Sequence, residues 1–172
     1  QEVGQAVSAF KGQIDILSLF AKRIRQIDVR SVDGVLCSAP SERQENYSVV
    51  NLGAGELLLE KGESNRPVAL PSSVPTYWVT APTQTRADLG VAVNASFDLD
   101  TGRSYLNTKS TKNGALIRNL AIGLYQSLAA RYDSLGTLDR YGWFASLFQA
   151  LFVDRISNWR HDDNNSLAKA LW

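Results

Sequence analysis

The sequence contains very few of the residues that build disulfides, metal sites and nucleophilic pairs. Its 172 residues include one cysteine, Cys37, and one histidine, His161. This composition excludes an internal disulfide and argues against a Cys/His zinc site or a Cys–His catalytic pair. We interpret Cys37 as a small buried apolar residue. His161 stands beside Asp162 and Asp163 without a recognisable nucleophile or third ligand, so we interpret it as part of a solvated tail.

Methionine is absent altogether. No position is methionine, and the sequence begins with Gln1. A complete polypeptide normally starts with methionine, so we interpret residues 1–172 as a single domain that was cut, processed or excerpted from a longer chain. Missing neighbours would then complete its function. Apolar surface that those neighbours cover would make self-association possible.

The sequence also has no glycine-rich phosphate loop and no long apolar run. The glycines of Asn51–Gly55 precede a strand pattern, whereas a phosphate cradle needs a helix N-terminus at that point. The apolar runs are much shorter than the roughly 20 residues of a membrane helix. We therefore expect no cofactor, no metal and no membrane partner for the isolated chain. The lack of a secretory signal pattern favours an intracellular location.

Charge of neither sign dominates. Eighteen Lys and Arg residues face 17 Asp and Glu residues, giving a net charge of +1, so no global field attracts nucleic acid. Four basic residues cluster near the end of the first predicted helix, where cations interact favourably with the helix dipole: Lys22, Arg23, Arg25 and Arg30. No aromatic residues alternate with them, so we do not expect nucleic acid as a partner.

Hydropathy patterns predict a helix followed by strands. Apolar residues three or four positions apart predict a helix over Val3–Ile24. Alternating residues then predict two hairpins that turn at Asp33-Gly34 and around Gly53-Ala54-Gly55. The segment 62–75 holds three of the five prolines, and strand patterns flank it. We therefore predict an internal loop there, although a domain linker has the same composition.

Two further strands are predicted at Thr76–Thr80 and Gly90–Phe97. In the second, one set of residues, Val91, Val93, Ala95 and Phe97, alternates with another, Ala92, Asn94 and Ser96. We expect the first set to face a core.

Helical periodicity returns after Asn107. One apolar stripe consists of Leu116, Ile117, Leu120, Leu124, Leu128 and Tyr132. Thr111 or Asn113 is suited to cap the start of this helix.

A further helix follows, with an aromatic row that we interpret as core and alternatively as a partner-binding face: Phe144, Phe148 and Phe152, together with Trp143 and Trp159. The sequence therefore predicts an α+β domain whose antiparallel or mixed sheet is preceded by one helix and followed by two or more packed helices.

The most informative segment is the turn after the Gly90–Phe97 strand, because it presents an arginine. Arg103 lies in the polar, glycine-containing stretch Asp98–Leu106. A guanidinium keeps its charge and offers five donors in a planar fork, which suits phosphate recognition. We therefore take Arg103 as the candidate site residue. The alternative is a surface arginine that pairs with Asp98 or Asp100.

Two segments carry a resemblance to a known family. Ile16–Val29 resembles the helix-to-strand entry that follows the nucleotide-binding domain in sacsin-like ATPases, which belong to the GHKL group of gyrase, heat-shock chaperone and MutL relatives. Val93–Leu106, followed by Asn113 and a long helix, is similar to the second conserved block of that family. The resemblance covers most of positions 14–132.

This resemblance implies a transducer-like second domain downstream of an ATP-binding module. The asparagine box, the aspartate-glycine adenine motif and the glycine-rich lid of the family do not occur here, so Mg-ATP would bind only in a parent protein. Arg103 matches the position that reaches the terminal phosphate from the second domain. The implied partner is a preceding ATP-binding domain of the same chain or a protein partner. The alternative is an unrelated α+β structural or interaction module, such as a proteolytically matured subunit of an assembly.

Overall fold

The order of elements is helix, strands, helices, which confirms the predicted α+β class. The computed structural model describes residues 10, 13–24, 26–32, 34–39, 45–85 and 89–153. Helix α1 spans residues 13–20. The strands are β1 (Ile27–Ser31), β2 (Gly34–Ala39), β3 (Tyr47–Asn51), β4 (Gly55–Lys61), β5 (Pro67–Val68), β6 (Tyr77–Val79), β7 (Ala81–Pro82) and β8 (Ala92–Ala95). Helices α2 (Thr111–Ser134) and α3 (Thr137–Phe148) follow, and a π-helical turn, Gln149–Val153, continues α3.

Strands β1 and β2 form a separate two-stranded antiparallel sheet. Ile27 pairs with Ala39, and the register shifts between Val29 and Arg30. Gly34 adopts a φ of 136° at the turn, a conformation that costs glycine little because it has no Cβ. The hairpin predicted around this position is therefore present.

The main sheet is mixed. Its strand order is β3-β4-β8-β6-β7, and β5 pairs with the far end of β4. Strand β4 is antiparallel to β3 and to β8, whereas β6 runs parallel to β8. Between β4 and β6, the segment 62–75 contains a short 3-10 turn, Glu63–Asn65, and the two residues of β5.

Helices cover both faces of this sheet. The larger core lies between the sheet and helices α2 and α3, and its fully or largely buried members include Leu57, Leu59, Tyr77, Val91, Val93, Phe97, Ile117, Leu120 and Leu124. On the opposite face, Ile16 and Phe20 of α1 pack with three strand residues, Leu58, Trp78 and Ala92, and with Leu70 and Val74 of the segment between β5 and β6. The domain therefore has three layers, with α1 on one side of the sheet and α2 and α3 on the other.

The prediction for β8 is confirmed on one face and incomplete on the other. Val91, Val93, Ala95 and Phe97 are all buried in the larger core, as expected. Ala92, however, is fully buried beneath α1. The reason is that β8 is an interior strand with helices on both sides, so its second face is not solvated.

Two predicted helix boundaries are wrong. Helix α1 ends at residue 20, not at Ile24, because the chain turns there: Ile24 N donates to Ala21 O at 2.8 Å, and the Ile24 side chain is 42% exposed. Residues 3–9 and 11–12 of that prediction lie outside the described residues. Helix α2 is capped by Ser110 and by neither Thr111 nor Asn113, since the Ser110 side chain accepts from Asn113 N.

The aromatic row of α3 is only partly core. The buried side chains of α3 and its continuation include the neighbouring leucines Leu147 and Leu151, whereas Phe148 of the aromatic row is 49% exposed. Phe144 is half-buried and stacks edge-on against Tyr132 and Trp143. Trp159 lies outside the described residues.

Two of the four residues in the basic cluster near α1, Lys22 and Arg30, form ion pairs within the domain. Lys22 pairs with Glu56 on β4, and the Arg30 guanidinium lies 3.4 Å from the Asp28 carboxylate. Arg25 lies outside the described residues.

One glycine lets α2 approach the sheet closely. A Cβ at Gly123 would overlap the carbonyl of Leu52 in the β3–β4 turn. Helix α2 can therefore bury Leu120 and Leu124 against the sheet on either side of this contact.

Phe97 anchors the end of the core nearest the Arg103 turn. Its ring packs edge-on against Tyr77 with centroids 5.4 Å apart, and 4% of the residue is exposed. We expect Phe97→Ala to lower the free energy of unfolding by about 3 to 5 kcal/mol, measured by urea denaturation. Tyr125→Ala, at a position 72% exposed on α2, is the control and should change it by less than about 0.5 kcal/mol. An unchanged midpoint for Phe97→Ala would contradict the core assignment.

Candidate functional site

Arg103 lies near the tip of a short hairpin that extends from β8. Residues 98–107 form this element, called here the Arg103 hairpin. Leu99 and Leu106 make an antiparallel bridge between its arms. Closer to the tip, Asp100 N donates to Tyr105 O at 2.8 Å, and at the base Asn107 N donates to Asp98 O at 2.9 Å.

The Asp100 carboxylate shapes the tip. Its Oδ1 accepts from Ser104 N at 2.9 Å and from Tyr105 N at 3.1 Å. Arg103 N donates to the Asp100 carbonyl at 2.9 Å. Arg103 itself has a φ of 54°, in the left-handed region that residues other than glycine rarely adopt. The hydrogen bonds made by Asp100 therefore hold the backbone of Arg103 in an uncommon conformation.

The Arg103 side chain is exposed and forms no ion pair within the described part of the chain. The pairing with Asp98 or Asp100 that the sequence left open is not observed. Asp98 accepts instead from Ser110 and Lys112, while Asp100 accepts from backbone N–H groups. The guanidinium is consequently available to a partner.

A buried asparagine joins the base of the Arg103 hairpin to helix α2. Asn113 Oδ1 accepts from Asp98 N at 2.8 Å, and its Nδ2 donates to the carbonyls of Asp98 and Asn107 at 2.8 and 3.1 Å. Only 2% of Asn113 is exposed. One amide thus connects both arms of the hairpin to the first turn of the helix, a role that the sequence-based interpretation of Asn113 as a cap missed.

The Asp98 carboxylate forms a second link to α2. Its Oδ2 accepts from Ser110 Oγ at 2.8 Å, and its Oδ1 accepts from Lys112 Nζ at 2.7 Å. The hydrogen bond from Lys112, followed by that from Ser110, holds the pKa of Asp98 below its ordinary value of 3.8. Asp98 is therefore charged under neutral conditions and keeps both contacts.

The loop after β7 supports the other side of the hairpin. Gln84 N donates to Ser104 O at 2.7 Å, and Leu106 N donates to the Thr85 hydroxyl at 2.7 Å. The Arg103 hairpin is therefore held by its own cross-strand bonds, by α2 and by Gln84 and Thr85.

Two lysines lie where the Arg103 hairpin meets α2. Lys109 precedes the helix, and Lys112 in its first turn is paired with Asp98. Asp98 therefore offsets the charge of Lys112, and no ion pair of Lys109 or Arg103 is found within the described part of the chain. Among the described residues, no group of three or more His, Cys, Asp or Glu side chains could hold a metal ion.

Comparison with known proteins found no matching family model, no similar curated protein and no similar solved structure. None of the helices in the described ranges has the length and apolar character needed to cross a bilayer.

Removing the Asn113 amide should destabilise the domain. Asn113→Ala leaves one buried N–H and two carbonyls without this partner, so we expect a loss of about 2 to 4 kcal/mol in the free energy of unfolding. Asn119→Ala is the matched control, because Asn119 is an exposed asparagine of the same helix. Urea denaturation of both variants measures the difference. Equal stability of the two would show that the bonds made by Asn113 contribute nothing.

The lowered pKa of Asp98 predicts a pH dependence with a defined sign. A carboxyl whose pKa is lower in the folded state stabilises the fold above its unfolded pKa, and this contribution is lost as pH falls through the folded pKa. The loss should therefore occur below about pH 4. We expect Lys112→Gln to raise the pKa of Asp98 toward 3.8, whereas Lys109→Gln should not. The carboxyl ¹³C shift of Asp98, followed by NMR as the pH is varied, measures this pKa. An unchanged pKa of Asp98 in Lys112→Gln would contradict the contribution of the hydrogen bond from Lys112.

Proposed function

We propose that this chain is a transducer-like domain that couples the nucleotide state of a preceding ATP-binding module to conformational change, and that it is not catalytic alone. In this proposal Arg103 contacts the terminal phosphate across the interface between the modules. The observation that supports it is an exposed guanidinium that has no ion-pair partner among the described residues. It lies on a hairpin whose backbone is hydrogen-bonded within itself, to α2 and to the loop after β7.

This arrangement suits phosphate recognition for a physical reason. A cation that is positioned in advance stabilises the charge of a transferring phosphoryl group without reorganising at that moment. Asp98 and Asp100 lie close in sequence but are engaged by Lys112 and by backbone N–H groups. Arg103 therefore has no ion pair with the residues that the structure describes to break before it engages a phosphate.

The same hairpin offers a connection to α2. Its base is joined to the first turn of the helix by Asn113 and by the bonds from Ser110 and Lys112 to Asp98. Helix α2 has 24 residues and is therefore roughly 36 Å long. A displacement of the hairpin toward a bound phosphate would move the start of this helix. The partner in this proposal is a preceding ATP-binding domain of the same chain, or a separate protein, which holds Mg-ATP.

One observation favours the alternative, an α+β structural or interaction module unrelated to ATPases. Ile122 and Tyr125 are 55% and 72% exposed on the outer surface of α2, one helical turn apart. Exposed apolar side chains of this kind are typical of surfaces that another protein covers. In such a module Arg103 would be an ordinary surface charge.

Substitution of Arg103 in the full-length parent protein distinguishes these functions. We expect Arg103→Ala to lower ATP turnover by roughly a thousandfold or more, because arginine fingers contribute factors of this size. Arg103→Lys should also be damaging, since a flexible point charge does not reproduce the planar fork. Arg118→Ala, which removes an exposed arginine from α2, is the matched control and should keep normal turnover.

Thermal melts of the same variants separate a functional loss from unfolding. Arg103 is exposed, so each substitution should leave the melting temperature nearly unchanged. Wild-type turnover by Arg103→Ala at equal stability would contradict the proposed role and favour the interaction module.

A further inference from the structure

A cavity of about 420 Å³ lies between the sheet and the C-terminal half of α2, apart from the Arg103 hairpin. This space is called here the α2 cavity. Strands β3 and β4 supply Ser48, Val50, Leu59 and Lys61. These residues belong to the face of the sheet that α2 covers, since Ser48 pairs with Leu59 and Leu59 is part of the larger core.

The helical side of the cavity is one continuous stripe. Leu124, Ser127, Leu128 and Arg131 are spaced so that they share one face of α2. Trp143 of α3 closes one side of the space. Leu124 is buried and Leu128 half-buried, whereas Arg131 is exposed. The helical stripe is therefore apolar near the sheet and polar at its outer end.

Several polar groups of the cavity lack partners within the described part of the chain. The hydroxyls of Ser48 and Ser127 and the ammonium of Lys61 make no hydrogen bond or ion pair there. Lys61 is nevertheless half-buried. The acidic residue of the lining, Glu60, already has an interaction partner. The cavity therefore offers donors and cationic charge above an apolar floor.

Arg131 is held in position beside the cavity. Its guanidinium carbon lies 5.7 Å from the centroid of the Trp143 ring, within the range of a cation–π contact. This contact leaves the N–H groups of the guanidinium free to donate to a carboxylate, which arginine binds in a two-pronged geometry. Lys61 adds a second charge from the sheet side of the same cavity.

We propose that the α2 cavity binds a small amphipathic anion. Its carboxylate lies between Lys61 and Arg131, and its apolar body packs on Val50, Leu59 and Leu128. At about 30 Å³ for each water-sized group, the volume accommodates about 14 such groups, which corresponds to a medium-length acyl chain with its carboxylate. Charge complementarity favours an anion, because two cationic residues, Lys61 and Arg131, and one acidic residue, Glu60, line the cavity. This inference does not depend on the role of Arg103.

Titration calorimetry of the 172-residue chain with decanoate tests the proposal, with 1-decanol as the neutral match. We expect saturable binding of one decanoate, and affinity for decanol at least about tenfold lower, because decanol cannot use the two cations. A concentration of decanoate near 100 times its Kd should raise the melting temperature by roughly 5 to 11 °C. Failure to saturate by roughly 1 mM decanoate, or equal affinities for the two compounds, would overturn the proposal.

Substitutions locate the site. Arg131→Gln and Lys61→Gln should each weaken decanoate binding by about tenfold, since each removes a charged hydrogen-bond donor. Ser127→Leu keeps both cations but fills the cavity and should abolish binding. Arg118→Gln removes the same kind of charge from an exposed position of the same helix and should leave the affinity unchanged. Equal weakening by Arg118→Gln and Arg131→Gln would indicate nonspecific attraction and overturn the assignment.

Discussion

The side chain of Asn113 determines how the end of the sheet meets the start of helix α2. Its Oδ1 accepts a hydrogen bond from the backbone N–H of Asp98, and its Nδ2 donates to the carbonyls of Asp98 and Asn107. Asp98 and Asn107 are the two ends of the Arg103 hairpin. These groups are part-buried, so a side chain without both functions would leave polar backbone atoms unpaired. The direction in which Arg103 points therefore depends on a residue ten positions later in the chain, which never contacts the guanidinium.

Burial on both faces of the central strands is the second constraint on the fold. Leu57, Leu58 and Leu59 are consecutive and all buried, because neighbouring side chains of β4 enter different cores. Such a continuous apolar run is typical of a strand covered on both faces. The run of three leucines is present in the sequence and indicates burial on both faces of β4. The alternating pattern of β8, in contrast, indicates burial on one face only. Alanine is common on both buried and exposed faces, so Ala92 does not indicate burial in the sequence, yet it packs in the same cluster as α1.

Local features of the candidate site could be predicted, and long-range ones could not. Glycine, aspartate and serine around Arg103 indicate a turn because their side chains and backbones favour one. The role of Asn113 depends on its contact with Asp98, which lies 15 positions away in the sequence. The role of Thr85 depends on its contact with Leu106, which lies 21 positions away. Periodicity does not report such contacts, nor does it reveal that β6 runs parallel to β8.

Helix α2 connects the two proposed sites. Its first turn holds the Arg103 hairpin through Asn113, and its C-terminal half forms one wall of the α2 cavity. Gly123 brings the middle of the helix into close contact with the β3–β4 turn, so neither end can shift far without disturbing this contact. A phosphate bound by Arg103 and an anion bound in the α2 cavity would therefore both contact elements that are attached to helix α2. If occupation of one site changes affinity at the other, thermodynamic linkage requires the effect to be equal in both directions.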